Sequence, residues 1–209
     1  MSIDSKRGTS EPSPSFRQHL ARFLRRPGPA FEELRTDPIL APPLLIHALG
    51  GLVLGLAAAV RGAPGLSEAM RDAAADANTT VAAISVGVIM VMVTPIVTVM
   101  GALGAGAVGH AAGRLLGSQV GLRTSVSFVA IALLPVAVRN AALALGVAVG
   151  GEQVTDRLDA VRYGDPFVLI SLVVAIYGAR WTLRLGWPQA TVVAVVVCLA
   201  PAALQIAFL

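Results

Sequence analysis

Arg139 is the residue whose type and place most need a chemical explanation: a guanidinium, followed by Asn140, more than halfway along the apolar stretch 124–149. A cation near the centre of a membrane-spanning helix costs about 2.5–3.5 kcal/mol on insertion scales, and such residues mark ion paths, anion sites or proton relays. None of the apolar stretches carries a carboxylate to pair with it. The partners left are backbone carbonyls, including that of Ile131, which Pro135 deprives of its helical donor, together with Asn140 and water. Three readings stay open. Arg139 lines a polar cavity or anion site, sits at the outer interface of a span that begins before residue 124, or caps a helix break after Pro135.

His47 lies about one turn inside the apolar stretch 41–60. An intramembrane imidazole can carry protons or bind a metal, but a metal site needs three or four convergent donors. No second His, Asp or Glu stands at ligand spacing there, so a structural or interfacial role is preferred, and no metal is expected. His19 and His110 fall on or near loops. Ser85, Ser127, Ser171 and Cys198 are hydroxyl or thiol nucleophiles inside apolar segments, without a histidine or carboxylate nearby in sequence to act as base. An enzyme is not expected. Gly104, Gly106 and Gly109 spell G-x-G-x-x-G, yet a dinucleotide site needs an acidic residue about twenty positions on, and nothing acidic occurs between Asp76 and Glu152. These glycines read as helix packing, and no cofactor is expected.

The elements that must hold these groups are apolar stretches at about 41–60, 80–109, 124–149, 166–185 and 190–209, each long or nearly long enough to cross a bilayer. Of the 209 residues 56% are hydrophobic and 13% charged, and the mean hydropathy is +0.75. That balance excludes an ordinary soluble globule. The expected fold is all-α, a polytopic bundle of five transmembrane helices whose backbone hydrogen bonds close within each span. The one cysteine excludes an intramolecular disulfide.

Charge sets the orientation. Of sixteen Lys and Arg residues, eleven fall in residues 1–40, 110–123 and 180–187, four in 61–79 and 150–165, and one is Arg139. Glu68, Asp72 and Asp76 crowd the first of the two poorer loops; Glu152, Asp156, Asp159 and Asp165 crowd the second. The positive-inside rule puts the N-terminus in the cytoplasm and Leu209 outside. The same segregation explains the high isoelectric point without nucleic acid.

Residues 1–15 read as a disordered tail, and 16–40 as a basic interfacial segment preceding a membrane domain over 41–209. No signal peptide is visible, and no soluble C-terminal domain is expected. Phe16, Leu20, Phe23 and Leu24 recur at helical spacing, with Arg17, Arg22, Arg25 and Arg26 on much of the remaining face. Such a helix can lie in the headgroup plane on anionic lipid; a solvated or partner-docking helix is the alternative. Pro29 reads as a helix start, Asp37-Pro38 as its end, and Pro95 as a kink in the second span. Gly51, Gly55 and Ala59 make a small-residue face in the first span. Gly101, Ala105, Gly109, Gly113 and Gly117 make a strict four-residue row in and beyond the second, expected to be the tightest helix contact, either inside the bundle or between two copies.

Several local patterns keep a shared order. Pro29-x-Phe31-x-x-Leu34 precedes Asp37-Pro38 and the first span. Gly113-Arg114-Leu115-Leu116-Gly117 leads into Thr124–Pro135 with its Ala-Leu-Leu-Pro. Leu169-Ile170-Ser171-Leu172 through Tyr177-Gly178 runs into Trp187-Pro188-Gln189-Ala190 and a Val-rich last span. Over roughly residues 27–209 this resembles the Yip-one domain family, the Ypt/Rab-interacting-protein-like membrane proteins, in its bacterial form. The resemblance implies five spans and a cytoplasmic N-terminus. Eukaryotic relatives are linked to Rab-type GTPases and membrane traffic, but the Tyr-Gly-Pro signature is missing here, so no functional residue is carried over. The expectation is a non-enzymatic scaffold or membrane-organising protein of a bacterial cytoplasmic membrane. Its partners would be the bilayer, anionic headgroups, and a second copy or other membrane proteins. A small transporter or channel with a polar path near Arg139, Asn140 and His47 is the alternative.

Overall fold

Runs of Ala, Leu and Val at helical spacing condense into helices because each closes its own backbone hydrogen bonds. A computed structural model describes residues 16–72, 77–150 and 165–207, and every regular element among them is a helix. They are α1 (Phe16–Arg25), α2 (Pro27–Glu33), α3 (Ala41–Asp72), α4 (Ala77–Leu115), α5 (Leu122–Ala132), α6 (Leu134–Gly150), α7 (Pro166–Thr182) and α8 (Trp187–Ala207). The expected tail, 1–15, and most of the acidic loop, 151–164, lie outside the described residues. Three stretches are long and apolar enough to cross a membrane: Ala41–Ala59, Gly87–Leu115, and Leu122–Gly146 across α5 and α6. Two shorter apolar segments, Pro166–Thr182 and Trp187–Leu199, complete the bundle.

The apolar stretch 124–149, expected as the third span with a break at Pro135 among the open readings, is built from two helices. α5 stops at Ala132, and Leu133 (φ −88°, ψ −2°) separates it from α6. Pro135 gives the cause: it offers no N–H to the Ile131 carbonyl and its ring crowds the preceding turn, whereas in the first turn of a new helix it is well suited. Pro95, by contrast, sits inside the continuous helix α4.

α3 and α4 form a long hairpin whose backbones touch. A Cβ on Gly51 would fall 2.8 Å from Pro95 Cα and 2.9 Å from the Thr94 carbonyl; one on Gly55 would fall 2.7 Å from the Met90 carbonyl. Only hydrogen in place of a side chain permits that approach.

The main core gathers at one end. Phe31 and Leu34 from the α2 region, Phe128 and Val129 from α5, Leu183 and Leu185 from the α7–α8 turn, and Val193 and Val197 from α8 are all buried together. Residues 16–40, expected as one interfacial segment, therefore divide. α2 is the floor of the bundle, with Phe31 1% and Leu34 0% exposed, whereas α1 lies outside it and touches it through Phe23, edge-on to Phe31 at 4.8 Å. Two buried hydroxyls fasten the floor: Thr182 donates to the Phe31 carbonyl (2.9 Å) and Ser127 to the Ile39 carbonyl (2.7 Å). The Phe31 carbonyl lies in the last turn of α2, where a helix has no partner of its own to offer. Gly178 lets α7 close on this floor, since a Cβ there would lie 2.8 Å from the Phe128 ring and 3.1 Å from that of Phe31.

Candidate functional site

The polar residues inside the apolar stretches fall at separate places. Arg139, in the second turn of α6, forms an ion pair through Nε with the carboxylate of Asp165, and its Nη1 donates to Asn140 Oδ1 at 3.1 Å. Carbonyls, Asn140 and water are the partners expected from sequence; the acid comes instead from the residue just before α7. Asp165 does double duty. Its Oδ1 accepts the Phe167 N–H at 2.9 Å, capping α7 just before Pro166, and its side chain is only 6% exposed. An acid at a helix N-terminus also interacts favourably with the helix dipole. The 17 residues of α7 separate this pair from Thr182 at the floor by about 25 Å, so the charge sits at the opposite end of the bundle.

His47 is buried and its Nε2–H donates to the Ala130 carbonyl at 2.9 Å. That carbonyl belongs to the last turn of α5, beside the break at Leu133. The His47 carbonyl in turn accepts from Thr98 on α4 at 3.0 Å. Three helices meet at this residue, and neither a hydrogen bond nor an ion pair joins it to Arg139 or Asn140. Between α3 and α6 lies a groove of about 350 Å³ lined by apolar residues, among them Ile46, Leu49, Gly50, Ala137, Ala141 and Leu145. No group of three or more His, Cys, Asp or Glu side chains among the described residues is placed to hold a metal ion.

The small-residue row of α4 does not lie against one partner. Gly101 has open space where a Cβ would stand. Ala105 is buried, Gly109 meets Val197 and Val129, and Gly113 meets Leu183 at 3.0 Å. Gly117 is outside the helix, at φ +94°, where the chain turns after Leu115 and the Ser118 N–H returns to the Gly113 carbonyl. Gly104, Gly106 and Gly109 all lie in the interior of α4, not in a loop that could cradle a phosphate, and Gly106 meets Val126 of α5.

At the floor end, Arg22 pairs with Glu33 (3.1 Å), and Arg25 and Arg26 are exposed; of Arg17 only the backbone is described. Arg180 donates through Nη1 to the Leu185 carbonyl at 2.8 Å, with its guanidinium carbon 5.7 Å from the Trp181 ring centre and 5.8 Å from that of Trp187. Tyr177 meets Trp187 edge-on at 5.6 Å. Arg184 takes a left-handed conformation (φ 55°) between buried Leu183 and Leu185 and reaches Glu32 at 3.3 Å. One pairing had no signal in the sequence: Ser125 donates to the Gly121 carbonyl and stands 3.2 Å from His110 Nδ1. Fifteen residues separate that histidine and serine along the chain.

Long apolar helices, glycine-mediated backbone contact and buried polar side chains bound mainly to backbone carbonyls define a helical membrane protein. The chain belongs to the Yip1 domain family, whose model matches residues 21–209. Comparison with curated proteins and with solved structures found no match.

Proposed function

We propose that this chain is a non-enzymatic membrane scaffold or membrane-organising protein, acting through helix packing and a basic cytoplasmic face. In this reading it crosses a bacterial cytoplasmic membrane five times, with residues 1–40 inside and Leu209 outside, and α1 lies on anionic headgroups. Two shorter apolar segments beside the three long ones support five crossings. The observation that carries the functional reading is how the intramembrane polar groups are used. Arg139 is neutralised by Asp165 and His47 is bound to a carbonyl, while the groove between α3 and α6 is lined by apolar residues. A solute path wants convergent polar groups that remain available to the solute.

The test deletes residues 1–26, which end one residue before the buried floor. The expected result is a folded, inserted bundle that no longer draws partner proteins or anionic vesicles to its cytoplasmic side. Undiminished binding after the deletion removes the scaffold reading. Solute flux into vesicles that Arg139→Leu abolishes would establish the transporter instead.

A further inference from the structure

The geometry points to Arg180 as a binding site for the phosphate of a phospholipid headgroup, at the membrane surface where α7 ends. This rests on the reading of that end as the inner membrane interface. The guanidinium is already oriented, by the Leu185 carbonyl on one side and by the two indoles, each within 6 Å. Among the described residues it has no carboxylate partner: Glu32 is paired with Arg184 and Glu33 with Arg22. Its other guanidinium donors have the fork geometry that suits a phosphate.

Gly28 packs so closely on Trp181 that a Cβ would fall 2.9 Å from the ring, and the exposed Arg25 and Arg26 precede it by three and two residues in sequence. Trp181 and Trp187 are 37% and 50% exposed, as befits rings with one face in protein and the other at headgroup depth. A phosphodiester anchored by acyl chains meets both at once, apolar rings and a fixed cation beside them. A free anion would have no use for the rings.

The tryptophans make the test direct, because the chain has only these two. The full chain is reconstituted in vesicles of phosphatidylcholine and phosphatidylglycerol, with one or the other lipid carrying brominated chains that quench indole fluorescence. Brominated phosphatidylglycerol is expected to quench about fivefold more effectively than brominated phosphatidylcholine, the preference one basic residue gives at an anionic surface. Arg180→Gln is expected to bring the two to parity, while Arg114→Gln, an exposed arginine elsewhere, keeps the preference. If the glutamine variant does not fold, Arg180→Lys decides: it is expected to lose at least half of the preference for want of the planar fork. The proposal is overturned by equal quenching in the unaltered protein, by a preference that survives at position 180, or by an equal loss in the Arg114 variant. Relief by added inorganic phosphate would overturn it too, since the ligand would then be a soluble anion. Quenching by neither lipid removes the membrane-surface reading itself.

Discussion

Replacing Asp165 by Asn isolates the charge in the Arg139 pair, because Asn caps a helix about as well as Asp and α7 keeps its first turn. What remains is an unneutralised guanidinium between α6 and α7. Removing one partner of a buried pair costs about 3–5 kcal/mol. Since 26% of the Arg139 side chain is still exposed, we expect the lower end, about 3 kcal/mol, or roughly a hundredfold in the folding equilibrium. Arg139→Leu should be milder, about 1–2 kcal/mol, because the carboxylate left behind retains the Phe167 N–H and the favourable helix terminus. The double variant should return to within about 1 kcal/mol of the unaltered protein. Equilibrium unfolding in mixed detergent–SDS micelles, followed by helical circular dichroism, measures all four members of the cycle. A D165N variant within about 0.5 kcal/mol of the parent, or a double variant no more stable than D165N, would show that the pair is not a structural lock.

Phe31→Ala should undock the floor at a cost of about 3–5 kcal/mol, seen as protease cleavage between α2 and α3 in a protein that remains in the membrane. Gly51→Ala is expected to destabilise by about 1–3 kcal/mol, because its methyl would strike the α4 backbone. Gly101→Ala, with open space around it, should be neutral or stabilise by up to about 1 kcal/mol through helix propensity. The same unfolding titration compares the two. His47→Phe should cost about 1–3 kcal/mol by leaving the Ala130 carbonyl without its donor, and the loss should appear as faster backbone exchange around Leu133 in hydrogen-exchange measurements.

The helices were legible because apolar runs and proline positions are local signals; Pro135 marked the site of the α5–α6 break, although only the structure shows two helices. Partners were not legible. Asp165 stood in the acidic loop and counted as an outside charge, and its pairing depends on α6 and α7 being neighbours, which no local spacing records. His47 was recognised as a buried polar group, but its partner is a main-chain carbonyl eighty-three residues away, and every residue has one. The pattern Phe31, Leu34 beside Glu32, Glu33 and Arg35 is amphipathic in the same way whether its apolar side meets lipid or protein. Four-residue glycine spacing on α4 announced close packing without saying which neighbour each glycine would meet. The shorter pair Gly51 and Gly55 brings α3 onto the backbone of α4.

The unequal length of the helices bears on the bilayer itself. α7, at 17 residues, offers about 25 Å of apolar wall, whereas Gly87–Leu115 of α4, at 29 residues, offers about 43 Å and turns Ile89, Val93, Ile96 and Met100 outward. A hydrocarbon layer of about 30 Å matches neither. If both cross the bilayer as proposed, lipids beside α7 shorten and those along α4 stretch or the helix leans, at fractions of a kcal/mol for each ångström of disparity. In the five-crossing reading the protein imposes a gradient of thickness across its own width, a mechanical stress on the surrounding leaflets that needs no ligand to act.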